Sequence, residues 1–233
     1  MHEPFSGGYY LGAHPEAVEG AGADVLKPFH RVVEDIKGKQ GESGDVVVKE
    51  LAYCVWRQRS AMEQHRDFFN TCRHVALVRR PEESIPSLVK QMLRAYGDIP
   101  LGRMRDAMGY EDLLALSNHF REVSPVMVVD SDELVSEPAT VLGRLCNFMG
   151  FPFDNALLTW KKGPLPDWVL WDSRGWHEAA RESEGFVRAT NHATPQEAQI
   201  TPTESQLIQE CVPFYLAITG GNTHRSQLAQ CTT

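Results

Sequence analysis

The chain has 233 residues, 42% hydrophobic and 23% charged, with a net charge of −8. These are the length of one large domain and the composition of an ordinary soluble globule able to bury a full core. The absence of a lysine- or arginine-rich run argues against bulk binding to nucleic acid or to an anionic membrane, while a local basic pocket for a small anion remains possible.

Residues 1–14 are rich in glycine and aromatics and read as a loop, with no basic stretch leading into an apolar core and hence no signal peptide. Pro15 to about Lys37 has helical spacing at Val18, Val25, Leu26, Phe29, Val32, Val33 and Ile36, interrupted by Gly20 and Gly22. A polar turn, GKQGESGD, leads to Val46, Val47 and Val48, a β-branched run that suits a parallel strand ending at Lys49. Leu51 to Phe69 is helical again. Val75 to Val78 forms a second buried strand, which ends on Arg79, Arg80 and Pro81. The helix after it is apolar at Ile85, Leu88, Val89, Met92 and Tyr96. Because a proline deep in a helix breaks it, regular helix is expected from about Ser84, with Pro86 and Ser87 in the first turn.

Tyr110 to Arg121 is the next helix, and Pro125 separates it from a third strand, Val126 to Val129, ending in Asp130. Pro138 to Met149 is amphipathic, with Ser136 suited to cap it, Pro138 to its first turn and Gly150 to its stop. Phe151 to Gly185 is loop-rich and holds Trp160, Trp168, Trp171 and Trp176; Thr203 to Ala217 is the last helix, and residues 218–233 read as a flexible tail. Short buried strands alternating with helices predict a single three-layer α/β/α domain with a mainly parallel sheet. Three strands are few for such a sheet.

Five cysteines (Cys54, Cys72, Cys146, Cys211, Cys231) form neither a Cys-x-x-Cys pair nor a zinc pattern, so reduced thiols, no metal and a cytoplasmic location are expected. No apolar run approaches membrane-spanning length.

The chemistry concentrates at Arg79. A strand that delivers arginine to a helix start builds an anion pocket from guanidinium, helix dipole and unpaired amides. A surface ion pair is the other reading of Arg79. Ser87 either offers hydroxyl and amide to the same anion or is merely a small residue facing the sheet. Lys49 stands at a strand's carboxyl end, where α/β sheets place ligands, or is an exposed strand-end lysine. Asp130, Asp132 and Glu133 read as helix-start carboxylates. The tryptophans with Tyr9 and Tyr10 read as core, with an acceptor pocket or adenine stacking as the second choice. His177 beside Trp176 carries little weight alone.

These residues resemble the sulfotransferases, which move a sulfuryl group from 3′-phosphoadenosine-5′-phosphosulfate (PAPS) to an acceptor. Arg79, Pro81 and Ser87 match the spacing of that family's 3′-phosphate motif. VVDSDELVSEPATVLGRLCNFMGFPF is similar to the family's strand, acidic pair and proline-led helix; HEPF at residues 2–5 and WHEAARESEGF near the C-terminus add to the likeness, which covers roughly residues 2–187. The resemblance implies a P-loop-like fold, PAPS as co-substrate, 3′-phosphate contacts from Arg79 and Ser87, and Glu3 as general base, with His2 as the second choice. Lys49 would neutralise the bridging or sulfuryl oxygens. A helix-cap or loop carboxylate is the other reading of Glu3. The family's phosphate loop before HEPF has no counterpart here, so the first βα unit is expected to be missing and turnover by residues 1–233 alone to be slow. The functions that remain are a sulfotransferase acting on a hydroxyl or amine of a small molecule, a non-catalytic remnant that binds a nucleotide or partner, and a P-loop kinase-like phosphotransferase, the last weakened by the lack of a Walker lysine. Neither nucleic acid nor membrane is expected as partner. A truncated sheet with an exposed apolar edge points to a homo-oligomer.

Overall fold

The computed structural model describes residues 1–19, 21–164, 176–186 and 200–221. Two compact units are present, one of Met1–Cys72 with Trp160–Glu184 and one of Arg73–Thr159 with Gly185–Thr233.

In the first unit, the chain start pairs in parallel with the segment before Glu50. The Met1 amino group donates to Val47 O at 2.7 Å, Lys49 N to Met1 O at 3.0 Å and Glu3 N to Lys49 O at 2.6 Å. The expected strand at Val46 to Val48 is therefore only an isolated ladder, bridged at His2 and Lys49, and is no member of the main sheet. Residues 6–13 are not loop but the helix α1 (Ser6–Ala13). Its glycines explain why. A Cβ at Gly7 would stand 1.7 Å from Val25 O, and one at Gly8 2.4 Å from Lys27 O, so α1 lies directly on the 25–28 backbone where only glycine fits.

The helical spacing of 15–37 divides into a 3₁₀ turn (Pro15–Val18) and α2 (Phe29–Ser43). α2 runs through the expected polar turn and stops at Gly44, whose φ of 83° no β-carbon residue adopts readily. Leu51 to Phe69 divides into α3 (Ala52–Trp56), α4 (Arg59–Glu63) and α5 (Arg66–Asn70). Phe5, Phe29 and Phe69 meet with ring centroids 4.4–6.2 Å apart among buried Val32, Val33, Ile36 and Met62. The same unit contains α11 (Glu178–Glu182). Trp168 and Trp171 lie outside the described residues.

The second unit holds the sheet. β1 (His74–Val78) pairs in parallel with β2 (Val126–Asp130), His74 opposite Val126 and Val78 opposite Asp130. The helices are α6 (Pro81–Tyr96), α7 (Leu101–Met108), α8 (Tyr110–Arg121), α9 (Ser131–Ser136), α10 (Pro138–Met149) and α12 (Pro202–Thr219). The unit is mostly helical around a small parallel sheet, an α/β arrangement. Strand residues alternate: Ala76 and Val78 are buried while Val75 and Leu77 are exposed. α8 covers the buried side, where the His74 ring stacks on Phe120 at 3.6 Å. α12 packs on α6, α7, α8 and β2 and buries Leu207, Cys211, Tyr215 and Ile218, the one-face pattern of an amphipathic helix.

Ser136 does not cap α10; it is the last residue of α9, and Glu137 takes the cap position. Gly150 ends α10 in the left-handed region, as its placement after Met149 requires. Most of the expected tail lies outside the described residues. Among the described residues, no helix is long and apolar enough to cross a membrane.

Candidate functional site

In the second unit, β1 ends at Val78 and α6 begins at Pro81, with Arg79 and Arg80 between them. The turn is pinned from α8. The Tyr110 hydroxyl donates to the Arg79 carbonyl at 2.6 Å and, having spent its hydrogen there, accepts from Ser84 Oγ. Burial pushes the Tyr110 phenol well above its usual range, so it stays a donor.

The two arginines part company at this turn. Arg80 is clamped, its Nε on Asp132 and its Nη2 on Glu83. Burial opposes its charge, but the Asp132 and Glu83 carboxylates more than offset this and raise its pKa. Arg79 leaves its side chain 42% exposed and touches Glu83 Oε2 at 3.4 Å, a long contact. Glu83 thus lies between the two guanidinium groups, a carboxylate that the sequence reading missed although its i,i+4 spacing from Arg79 marks it.

α6 begins at Pro81 rather than near Ser84, because proline is well tolerated in a first turn. Pro86 is inside the helix and Ser87 is exposed in the second turn. The expected convergence of first-turn amides on an anion is corrected accordingly. Pro81 has no N–H, and the Glu83 and Ser84 amides turn back on the Arg80 carbonyl at 3.1 and 3.0 Å. The groups of the expected motif are then the Arg79 guanidinium and the Ser87 hydroxyl rather than a set of converging amides. Glu83 and Ser87 follow four residues apart on one side of α6, and the Arg79 side chain reaches that side at Glu83.

Asp130 is structural, as expected from its place. It caps α9 by accepting from Asp132 N at 2.8 Å and accepts the Tyr215 hydroxyl at 2.6 Å.

In the first unit, the end of the parallel ladder gathers His2, Glu3 and Lys49. Glu3 is buried and holds φ at 47°, a left-handed conformation that costs a non-glycine residue about 1–2 kcal/mol. Backbone strain of this kind collects at functional sites. Its carboxylate accepts from Lys49 Nζ and lies 3.5 Å from His2 Nε2. The His177 ring meets His2 edge-on at 5.4 Å. The ladder therefore brings Lys49 to the adjacent His2 and Glu3, 47 and 46 positions before it in sequence.

Beside them stands Glu50, which sequence reasoning passed over. It accepts from Phe5 N at 2.6 Å, Ser6 Oγ at 2.7 Å and Leu51 N at 2.7 Å, tying the ladder to the head of α1. Burial outweighs these three bonds and, with the Glu3 charge nearby, pushes its carboxyl up to about 7. Tyr9 and Tyr53 form a buried cluster with Cys54, flanked by Tyr10, whose hydroxyl lies 2.6 Å from that of Tyr53. Tyr9 and Tyr10 thus sit in packing contacts of the first unit.

Among the described residues, no group of three or more His, Cys, Asp or Glu side chains is arranged to hold a metal ion.

Comparison with known proteins follows the same lines. A profile of the family described as "Sulfotransferase domain" matches residues 65–221, which takes in β1, α6 and the Arg79 turn. Two curated relatives from Arabidopsis thaliana are branched-chain-amino-acid aminotransferase-like protein 2, 26% identical over 209 residues, and branched-chain-amino-acid aminotransferase-like protein 1, 25% identical over 208. The alignments take 85% and 84% of this chain but 35% of each relative, so the chain spans about a third of their length. Two solved structures share its fold. The sulfotransferase domain from the curacin biosynthetic pathway superposes with a TM-score of 0.50 at 15% identity, covering 89% of this chain and 77% of that one. The sulfotransferase domain of the Synechococcus PCC 7002 olefin synthase does so at 0.50 and 18%, covering 89% and 74%.

Proposed function

The chain belongs to the sulfotransferase family, and on that premise we propose that it acts with PAPS in moving a sulfuryl group to a hydroxyl or amine of a small molecule. The observation that carries the reading is Arg79, a half-exposed guanidinium set by the β1–α6 turn inside the matched region. PAPS, when bound, supplies the sulfuryl group on a phosphate leaving group.

Arg79 suits the 3′-phosphate of such a donor. Guanidinium presents paired N–H donors that match phosphate oxygens, and the Tyr110 bond to its carbonyl keeps the turn from shifting. Ser87 adds an exposed hydroxyl along the same side of α6. Taken within its own unit, Glu3 is suited to accept a proton, as a hydroxyl must lose its proton when it attacks sulfur. Lys49 balances the Glu3 charge, and His2 Nε2 stands 3.5 Å from the same carboxylate oxygen. Lys49 is half exposed at its tip, so its ammonium is also available to neutralise oxygen charge on a donor. Sulfuryl transfer asks little covalent chemistry of a protein; positioning and charge stabilisation carry it.

The test is calorimetric titration of the chain with adenosine 3′,5′-bisphosphate. Binding is expected, and Arg79→Ala should weaken it by about tenfold or more, the loss typical of a charged hydrogen bond. Equal affinity for adenosine 5′-monophosphate, or no effect of Arg79→Ala, would remove the 3′-phosphate assignment.

A further inference from the structure

Glu83 lies beside the Arg79 guanidinium, where its charge acts on any anion that Arg79 binds. Its Oε1 is on Arg80 Nη2 and its Oε2 is 3.4 Å from Arg79 Nη2, so one carboxylate spans both guanidinium groups. The two halves of that span are unequal. Arg80 is largely buried and is held from a second side by Asp132; Arg79 is half exposed and meets Glu83 only at the outer limit of a hydrogen bond.

We propose that Glu83 is a resident counter-ion that limits the affinity of the Arg79 site for an anion. Arg80, itself fixed by Asp132, holds Glu83 in place. Arg79 can leave it at little cost, because a long, solvated ion pair is worth little. An arriving anion must then bind beside a fixed negative charge. A fixed negative charge repels a phosphate monoester dianion about twice as strongly as a monoanion, so Glu83 holds down the affinity of the site most for a dianion. Glu83 is thus an affinity-setting residue, not a catalytic one, and its role rests on the reading of Arg79 given above.

The experiment uses the full chain at a pH where a phosphate monoester is dianionic. Adenosine 3′,5′-bisphosphate and, as a monoanionic probe, adenosine 2′,3′-cyclic phosphate are titrated against wild type, Glu83→Gln, Glu83→Ala and Arg79→Ala. Removing one fixed charge near the ligand should tighten bisphosphate binding by about threefold to tenfold in both Glu83 variants. The monoanion should gain by a smaller factor, because the removed charge acted on one negative charge rather than two. Circular dichroism identifies any variant that fails to fold, and the other Glu83 variant then decides. If Arg79→Ala loses binding while the Glu83 variants bind equally or more weakly, Glu83 organises Arg79 and the proposal is overturned with the phosphate reading intact. If Arg79→Ala binds like wild type, or wild type does not bind at all, both fall together.

Discussion

Glu50 is a carboxylate whose burial outweighs its hydrogen bonds. Three donors favour its ionised form, yet burial pushes its pKa from 4.5 to about 7. The folded chain therefore holds this proton more tightly than the unfolded one. Its contribution to stability is complete below about pH 4.5 and is lost as pH rises towards 7. Glu50→Gln cannot titrate. Urea unfolding at pH 5 and pH 8 should show wild type losing more stability over that interval than the variant, and parallel behaviour would refute the assignment. Arg79 and Arg80 illustrate the same competition between neighbours. They are adjacent in sequence, yet one is clamped by two carboxylates and the other reaches only one of them, at 3.4 Å. The difference comes from Asp132, 52 positions beyond Arg80, and no local pattern announces it.

At the scale of elements, α12 shows how a helix is specified by its ends and its face together. Thr201 and Glu204 form a reciprocal capping box, with Glu204 N donating to Thr201 Oγ1 at 3.2 Å and Thr201 N to Glu204 Oε2 at 2.8 Å. Pro202 follows at the first helical position, and Gly220 closes the helix in the left-handed region. α7 is fastened to it by Arg105, whose Nε and Nη2 donate to the two Glu210 oxygens at 2.7 and 2.9 Å and hold that carboxyl at about 2. Thr201→Ala should lower the unfolding free energy by about 1 kcal/mol, the usual worth of such a cap. A cost near zero by urea denaturation would mean that packing of α12 on α6 and α8 alone sets its stability.

At the scale of the molecule, the sheet carries an association hazard. β1 pairs only with β2 among the described residues, and Val75 and Leu77 project from it 36% and 55% exposed. An apolar strand with an open edge favours pairing with another copy. Light scattering should show mass rising with concentration, and Leu77→Lys should suppress the rise; a constant monomer mass in wild type would count against self-association. The apolar runs at 74–78 and 126–130, their carboxyl-end Arg79 and Asp130, the helices at 110–121 and 138–149 and the glycine stop at 150 were all legible from residue order. Each rests on neighbours within a few positions, where hydrophobic spacing and terminal residues act. The start of α6 is hidden by Pro86, which reads as a breaker although Pro81, at the first helical position, is the proline that opens the helix. Other features belonged to the tertiary structure alone. These are α1 lying on the 25–28 backbone, the ladder that carries Glu3 to Lys49, the bonds that hold Glu50, and the seat of Glu83 between two arginines whose partner Asp132 is remote. Each depends on groups brought together across tens of residues or on a close approach of backbones, and short-range spacing carries no record of which distant partner will arrive.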